Sequence, residues 1–175
     1  MRVIAGEFRS RRLKSLPGLD VRPTPDRLRE ALFNVLASRV QGCTFLDAYA
    51  GTGAVGIEAL SRGAAQAVFV ENHPPALRVL RENLRALGLE SRARVIQADA
   101  PEAFRRVRAD IVFLDPPYSA QGQYARALRI LGSTVPPLVI VQHPSRLDLA
   151  ESYGGLRRTR TLRHGDNALS FYEPA

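Results

Sequence analysis

Between residues 44 and 141 short apolar runs alternate with stretches in which apolar positions recur every three or four residues. The runs lie at 44–46, 67–70, 94–96, 111–114 and 138–141. Their length and apolar character predict strands covered on both faces. The intervening stretches, 55–62, 75–87, 101–107 and 123–131, have helical periodicity. Such alternation predicts an α/β fold, a doubly wound and mostly parallel sheet. Two further strands, 157–162 and 168–172, flank the turn His164-Gly165-Asp166-Asn167 and predict an antiparallel C-terminal pair, seven strands in all.

The first forty residues follow another pattern. Segments 3–5 and 12–14 predict a small hairpin around 6–10. A helix then opens with Thr24 as N-cap, Pro25 at its first position and Asp26 in the first turn. Leu28, Ala31, Leu32, Val35 and Leu36 give it one apolar face. The chain thus divides into an N-terminal hairpin-and-helix extension, 1–40, and an α/β domain, 41–175.

Charge changes this picture. The 175 residues carry a formal net charge of +8, and of 25 basic residues only Lys14 is lysine. Excess positive charge predicts a polyanionic partner, nucleic acid first. Arg9, Arg11, Arg12, Lys14 and Arg22 in the extension are the candidates for gripping phosphates, with a solvated charge run as the plain alternative. Arg157, Arg158, Arg160 and Arg163 read as the outer face of a strand. Cys43 is the single cysteine, read as a small core residue, which excludes a disulfide framework and a cysteine-based zinc site. No apolar run approaches the ~20 residues that span a bilayer, and the N-terminus lacks the apolar segment of a secretion signal, so a cytoplasmic protein is expected. His143 and His164 lack a nucleophile or metal partner at suggestive spacing and are read as surface or turn residues.

Acids follow on the strand ends. Asp47, Glu71, Asp99 and Asp115 stand directly after, or nearly after, the first four runs. In a parallel sheet that is the edge at which ligands bind. Asp115-Pro116-Pro117-Tyr118 ends the fourth run in two prolines that cannot continue a ladder. The carboxylate and the Pro116 carbonyl can each accept one hydrogen of an exocyclic NH2 group, and Tyr118 can stack on a planar ring. Gly51-Thr52-Gly53-Ala54-Val55-Gly56 matches G-x-G-x-x-G, with Glu71 18 residues beyond Gly53, which on its own suggests a dinucleotide. Asp47 argues otherwise, because a carboxylate just before the loop would repel a pyrophosphate. It suits a cationic ligand such as S-adenosylmethionine, with Glu71 on the ribose and Asp99 on the adenine amine. Helix or turn capping is the plain alternative for Asp47 and Asp99.

Asp47 to Gly56, Glu71, Asp99 and the final tetrad, in this order and spacing, resemble the class I S-adenosylmethionine-dependent methyltransferases, with their Rossmann-like sheet. A narrower resemblance covers nearly the whole chain. Arg2-Val3-Ile4-Ala5-Gly6-Glu7-Phe8, the stretch from Arg22-Pro23-Thr24-Pro25-Asp26-Arg27 to Asn34, Ala59-Leu60-Ser61-Arg62-Gly63-Ala64 and residues 165–172 are similar to the RsmD family of 16S rRNA guanine-N2 methyltransferases. The resemblance implies Asp115, Pro116, Pro117 and Tyr118 as catalytic residues. It implies cofactor contacts from Asp47, Gly51, Gly53, Glu71, Asn72, Asp99 and Ala100. It further implies a guanosine in 16S ribosomal RNA, on a partly assembled small subunit, as substrate of a monomer that needs no metal. Relatives often carry Phe at Tyr118 and an acid after the fifth strand, where Gln142-His143 stand; Arg27 and Asn34 are left without an assigned role. The competing readings are a DNA adenine-N6 or cytosine-N4 methyltransferase, a protein glutamine methyltransferase, an NAD-dependent oxidoreductase and a non-catalytic RNA-binding module.

Overall fold

A computed structural model describes residues 1–17, 24–117 and 121–175. Strands β1 (Thr44–Asp47), β2 (Gln66–Glu71), β3 (Ala93–Gln97), β4 (Ile111–Leu114), β5 (Leu138–Pro144), β6 (Ser152–Tyr153), β7 (Leu156–His164) and β8 (Asn167–Pro174) form one sheet in the order β3-β2-β1-β4-β5-β8-β7-β6. The first five are parallel, and β8, β7 and β6 add antiparallel pairs. The expected doubly wound architecture is present, with the two-residue β6 joining the antiparallel end. β4 is buried at every position because helices cover both faces, which is why its sequence does not alternate.

Helices α1 (Asp26–Leu36), α2 (Ala54–Ser61) and α3 (Pro74–Ala86) supply one core layer, with Leu32, Ile57 and Leu80 packed against Phe45, Phe69 and Phe113 of the sheet. Helices α4 (Ala100–Ala103) and α5 (Gln121–Thr134) supply the other, with Ala103, Tyr124 and Leu128, and Phe104 just past α4, against Leu46, Val112 and Val141. α4 is a single turn, shorter than residues 101–107 suggest, because the chain leaves it through turns at Arg106 and Val107. α5 is longer than the predicted 123–131. Each fully buried aliphatic or aromatic side chain contributes about 1.5–3 kcal/mol.

The N-terminal segment forms a hairpin held by a bridge between Arg2 and Arg12 rather than by full strands. Val3, Leu13, Leu28, Leu32, Phe33 and Leu36 lie in the same core as the first sheet face. Thr24 is not the N-cap of α1. Pro25 occupies that position without a side-chain cap, and the Thr24 hydroxyl donates instead to Gln142 Oε1 at 3.1 Å. Phe33 stacks on Phe45 at 6.1 Å, and the Arg62 guanidinium lies 5.1 Å over the Phe33 ring.

Arg29, amid the apolar face of α1, is fully buried. Its Nη2 donates to the Arg2 carbonyl at 2.7 Å and to Asp26 at 3.0 Å, and its Nε lies 3.9 Å from the buried Glu58 of α2. Glu58 also accepts from the Ile4 and Ala5 backbone N–H groups and from Arg62 Nε. Ser61 fastens the hairpin tip: its carbonyl accepts from Glu7 N–H, and its hydroxyl accepts from Phe8 N–H and donates to the Ala5 carbonyl. The extension is therefore fixed to α2 by buried polar groups as well as by packing.

Candidate functional site

The strand order reverses between β1 and β4, where consecutive connections leave to opposite faces. A crevice opens beyond the carboxyl ends of strands at such a point. Here it is a cleft of about 490 Å³ whose lining includes Gly51, Glu71, Asn72, Asp99, Ala100, Asp115, Pro116, Pro117 and Gln142. A smaller cavity of about 80 Å³ adjoins it, lined by Asp47, Asp115, Tyr49 and Gly51 with Ser15, Leu16 and Thr24 of the extension.

Asp47 is the last residue of β1 and fully buried, and its Oδ2 accepts the Gly56 N–H at 2.9 Å. One oxygen thus caps the first turn of α2. The carboxyl faces the smaller cavity rather than the main cleft. Its pKa is raised from 3.8 to about 7, by burial first, with Glu71 adding and the Gly56 N–H opposing. Asp115 lies two residues beyond Phe113, the register partner of Asp47 on β4. Its pKa is raised from 3.8 to about 8, by burial and then by the charge of Asp47.

The glycine loop is shaped for close approach. Gly53 caps α2 with φ 94°, and a Cβ there would sit 2.4 Å from Leu80 Cδ1. A Cβ on Gly56 would lie 2.3 Å from Phe69 Cε1. Gly53 and Gly56 therefore serve helix–sheet packing, while Gly51 meets both cavities. Glu71 Oε1 accepts the Gly51 N–H at 2.9 Å, and Oε2 accepts the Asn72 and His73 N–H groups. The acid holds the loop to β2 as well as facing the cleft. Asp99 stands at the N-cap of α4 without making a capping bond; its Oδ1 accepts from Asn72 Nδ2 at 2.7 Å. The Pro116 carbonyl accepts from the buried Tyr124 hydroxyl of α5 at 3.4 Å.

Tyr118 and Arg22 lie outside the described residues. Arg9, Arg11, Arg12 and Lys14 are exposed on the N-terminal segment and line neither cavity. Lys14 pairs with Glu82 at 3.0 Å, and Arg11 Nη2 donates to the Ala86 carbonyl. Arg27 and Asn34 are exposed on α1 and also line neither cavity. Arg157, Arg160 and Arg163 are exposed on β7.

His143 is not a surface residue. It is buried on β5, with Nδ1 at 2.9 Å from the Pro144 carbonyl and Nε2 at 2.8 Å from Ser170 Oγ, and burial lowers its pKa. Cys43 is buried, and burial with the nearby Asp110 raises its thiol to about 11, which leaves it unreactive.

Several site residues carried no signal strong enough to find. Asn83 of α3 is buried and exchanges two hydrogen bonds with the Lys14 backbone, while its Nδ2 also donates to the Thr52 carbonyl at 3.0 Å. One side chain thus ties the extension to the glycine loop; an Asn within a helical stretch was the only hint. Tyr49, Gln123 and Arg126 line the cleft. The buried Tyr49 hydroxyl has no hydrogen-bond partner among the described residues, and burial raises its pKa to about 12.

The family described as "Conserved hypothetical protein 95" matches residues 1–173. A Bacillus subtilis protein named "Putative rRNA methyltransferase YlbH" is 34% identical over 99% of this chain and 98% of its own length. Ribosomal RNA small subunit methyltransferase D of Escherichia coli K12 is 41% identical over 67% of this chain, a match spanning 60% of that protein, less than two thirds of it. Among solved structures, a hypothetical protein of Thermus thermophilus superposes with a TM-score of 0.82 at 36% identity, covering 99% of each chain.

Proposed function

The chain belongs to the conserved hypothetical protein 95 family, the RsmD family of class I S-adenosylmethionine-dependent methyltransferases, and on that premise we propose that it methylates the exocyclic N2 of one guanosine in small-subunit ribosomal RNA. The observation that carries this reading is the meeting of Asp115 and the Pro116 carbonyl with Asp47, Glu71 and Asp99 around adjoining cavities at the sheet's switch point.

The residues present fit the cofactor. Asp47 and Asp115 supply negative charge for an ammonium and a sulfonium, Glu71 Oε1 and Asp99 supply acceptors for hydroxyl and amino groups, and the buried Tyr49 hydroxyl lacks a partner among the described residues. Bound there, S-adenosylmethionine supplies a methyl group on positively charged sulfur. Asn72 and Ala100 line the same wall.

Asp115 and the Pro116 carbonyl each accept one N–H of the target amine. Its lone pair, otherwise delocalised into the ring, then becomes available for attack. Tyr124 and the two prolines fix the Pro116 carbonyl, so the geometry is set before substrate arrives. Such orientation draws on the ~7–11 kcal/mol available to well-placed reactants. Positive charge grows on the nitrogen during transfer, and ionised Asp115 stabilises it and afterwards takes the proton. The base must leave its stack to enter the cleft. Tyr118 is assigned to stack on it, and Arg9, Arg11, Arg12, Lys14 and Arg22 to hold neighbouring phosphates.

The E. coli relative's name supports a small-subunit substrate, and the net charge of +8 supports RNA. Nucleoside analysis of small-subunit RNA from cells with and without the gene tests the proposal. Loss of one N2-methylguanosine is expected. Loss of a methylated adenine or cytosine instead, or an unchanged profile, would overturn it.

A further inference from the structure

Gln142, near the end of β5, is only 3% exposed, yet it lines the main cleft. Leu114 and Val141 are register partners on β4 and β5, and both pack into the α4/α5 core. The residue after each, Asp115 just beyond β4 and Gln142 on β5, therefore projects toward the α1 face from adjacent strands. Their separation is about one strand spacing, ~4.8 Å. That is comparable with the reach along a purine's Watson–Crick edge from one exocyclic substituent to the next.

The Gln142 amide is oriented by its neighbour. Thr24 donates its hydroxyl to Oε1 at 3.1 Å from a position that is itself buried. Two buried polar side chains thus fix one amide rotamer. With its oxygen engaged, the amide offers its NH2 group to the cleft, and among the described residues no hydrogen bond takes up Nε2. Nε2 is not one of the buried polar atoms left without a partner; it opens on the cleft, where an acceptor on a ligand can take the place of water.

We infer that Gln142 is a specificity-determining residue, whose Nε2 donates to O6 of the target guanine while Asp115 and Pro116 hold its N2 amine. Thr24 is the positioning residue that presents the amide. The inference rests on the guanine-N2 reading and adds to it the contact by which the base is told from one carrying the same amine without the same edge. Adjacent strand ends would then hold opposite ends of one base edge, Asp115 accepting and Gln142 donating.

A substituted base tests this directly. 2-Aminopurine keeps the 2-amino group of guanine and lacks O6. The target guanosine, once mapped, is replaced by 2-aminopurine in a short end-labelled RNA. Dissociation constants from fluorescence anisotropy and methyl-transfer kcat/KM are measured for both RNAs. Wild type is expected to favour guanosine by about tenfold or more. In the near-isosteric Gln142→Met variant the preference should fall to within about threefold in both measurements. Thr24→Val, which frees the amide without removing it, should give an intermediate ratio, and it keeps the test decisive if the Met variant does not fold. The same preference in wild type and the variants, or none in wild type, would overturn the inference while leaving guanine-N2 transfer standing. Absence of transfer to guanosine RNA by wild type would overturn the reading beneath it instead.

Discussion

Asp47 and Asp115 face one cavity of about 80 Å³ from the ends of neighbouring parallel strands, and the charge of Asp47 helps to raise the pKa of Asp115. The folded protein holds these acids near pKa values of about 7 and about 8, against 3.8 in an exposed chain. Folding takes up protons between those limits, and a cationic ligand releases them.

This sets the sign of the pH dependence. An acid whose pKa rises on folding keeps its proton in the folded state after the unfolded chain has lost its own. Stability from this source is full below pH ~4 and is lost as pH climbs through the folded values of about 7 and about 8. Tm of the ligand-free protein is expected to fall between pH 5 and pH 8, at about 2–4 °C per kcal/mol for a chain of this size. Asp115→Asn should flatten the fall. Affinity for S-adenosylmethionine should move the other way and rise with pH, because the ionised carboxylates meet the cation. Scanning fluorimetry and calorimetry at several pH values read both; a rising Tm would contradict the proposed burial of charge.

Asp115→Ala should lower kcat by about a hundredfold or more, the scale on which a group that stabilises developing charge matters. Cofactor affinity at pH 7 should fall far less than kcat, since Asp47, Glu71, Asp99 and the glycine loop are untouched and Asp115 is one of two carboxylates facing the cation. Single-turnover methyl transfer together with titration calorimetry checks this, and turnover close to wild type would remove Asp115 from the chemistry.

Gly56→Ala places a methyl group against Phe69 and should destabilise the protein by about 1–3 kcal/mol. A smaller side chain opposite should recover part of that loss, so Gly56→Ala with Phe69→Leu should cost less than the two single changes summed. Urea denaturation of the four proteins supplies the comparison. Strict additivity would mean that the two positions do not meet.

Asn83→Leu removes the side chain that ties Lys14 to the Thr52 carbonyl and leaves three backbone groups to find other partners. A loss of about 1–3 kcal/mol per buried group left unpaired is the expectation, reduced where water reaches. Cofactor affinity should weaken as well, because Thr52 belongs to the glycine loop. Chemical denaturation and calorimetry report the two effects, and stability unchanged with binding intact would show the tether to be dispensable.

Replacing Arg9 and Arg12 by alanine tests the phosphate grip. Two contacts to single-stranded RNA correspond to about 1.4 in the slope of log K against log salt. Binding should weaken across RNA sequences alike, with kcat at saturating RNA preserved. An unchanged slope would place the RNA path elsewhere, the arginines of β7 being the other exposed basic run.

Much of this molecule is written in local pattern. The five parallel strands, the helices between them and the C-terminal pair were legible because burial on two faces demands continuous apolar runs, and burial on one demands periodicity. The acids at the strand ends and the prolines after Leu114 were legible for the same reason: where a run stops, the sheet stops, and a parallel sheet binds ligands at that edge. Thr24 shows the limit of such reading. Its place before Pro25 and Asp26 is a capping signature, yet its hydroxyl bonds to Gln142, 118 residues away in the chain. Arg29, Glu58 and Asn83 are likewise buried partners of backbone groups remote in sequence.

Sequence alone determined the layered α/β fold and the set of acids along its ligand edge, because local burial and strand termination leave a periodic trace. Tertiary structure alone decided what each acid and amide faces: Asp47 the Gly56 N–H and the smaller cavity, Glu71 the glycine loop, Gln142 the hydroxyl of Thr24. Hydrogen bonds and proton affinities depend on distances of a few ångströms between residues far apart in the chain, and no periodicity records those distances.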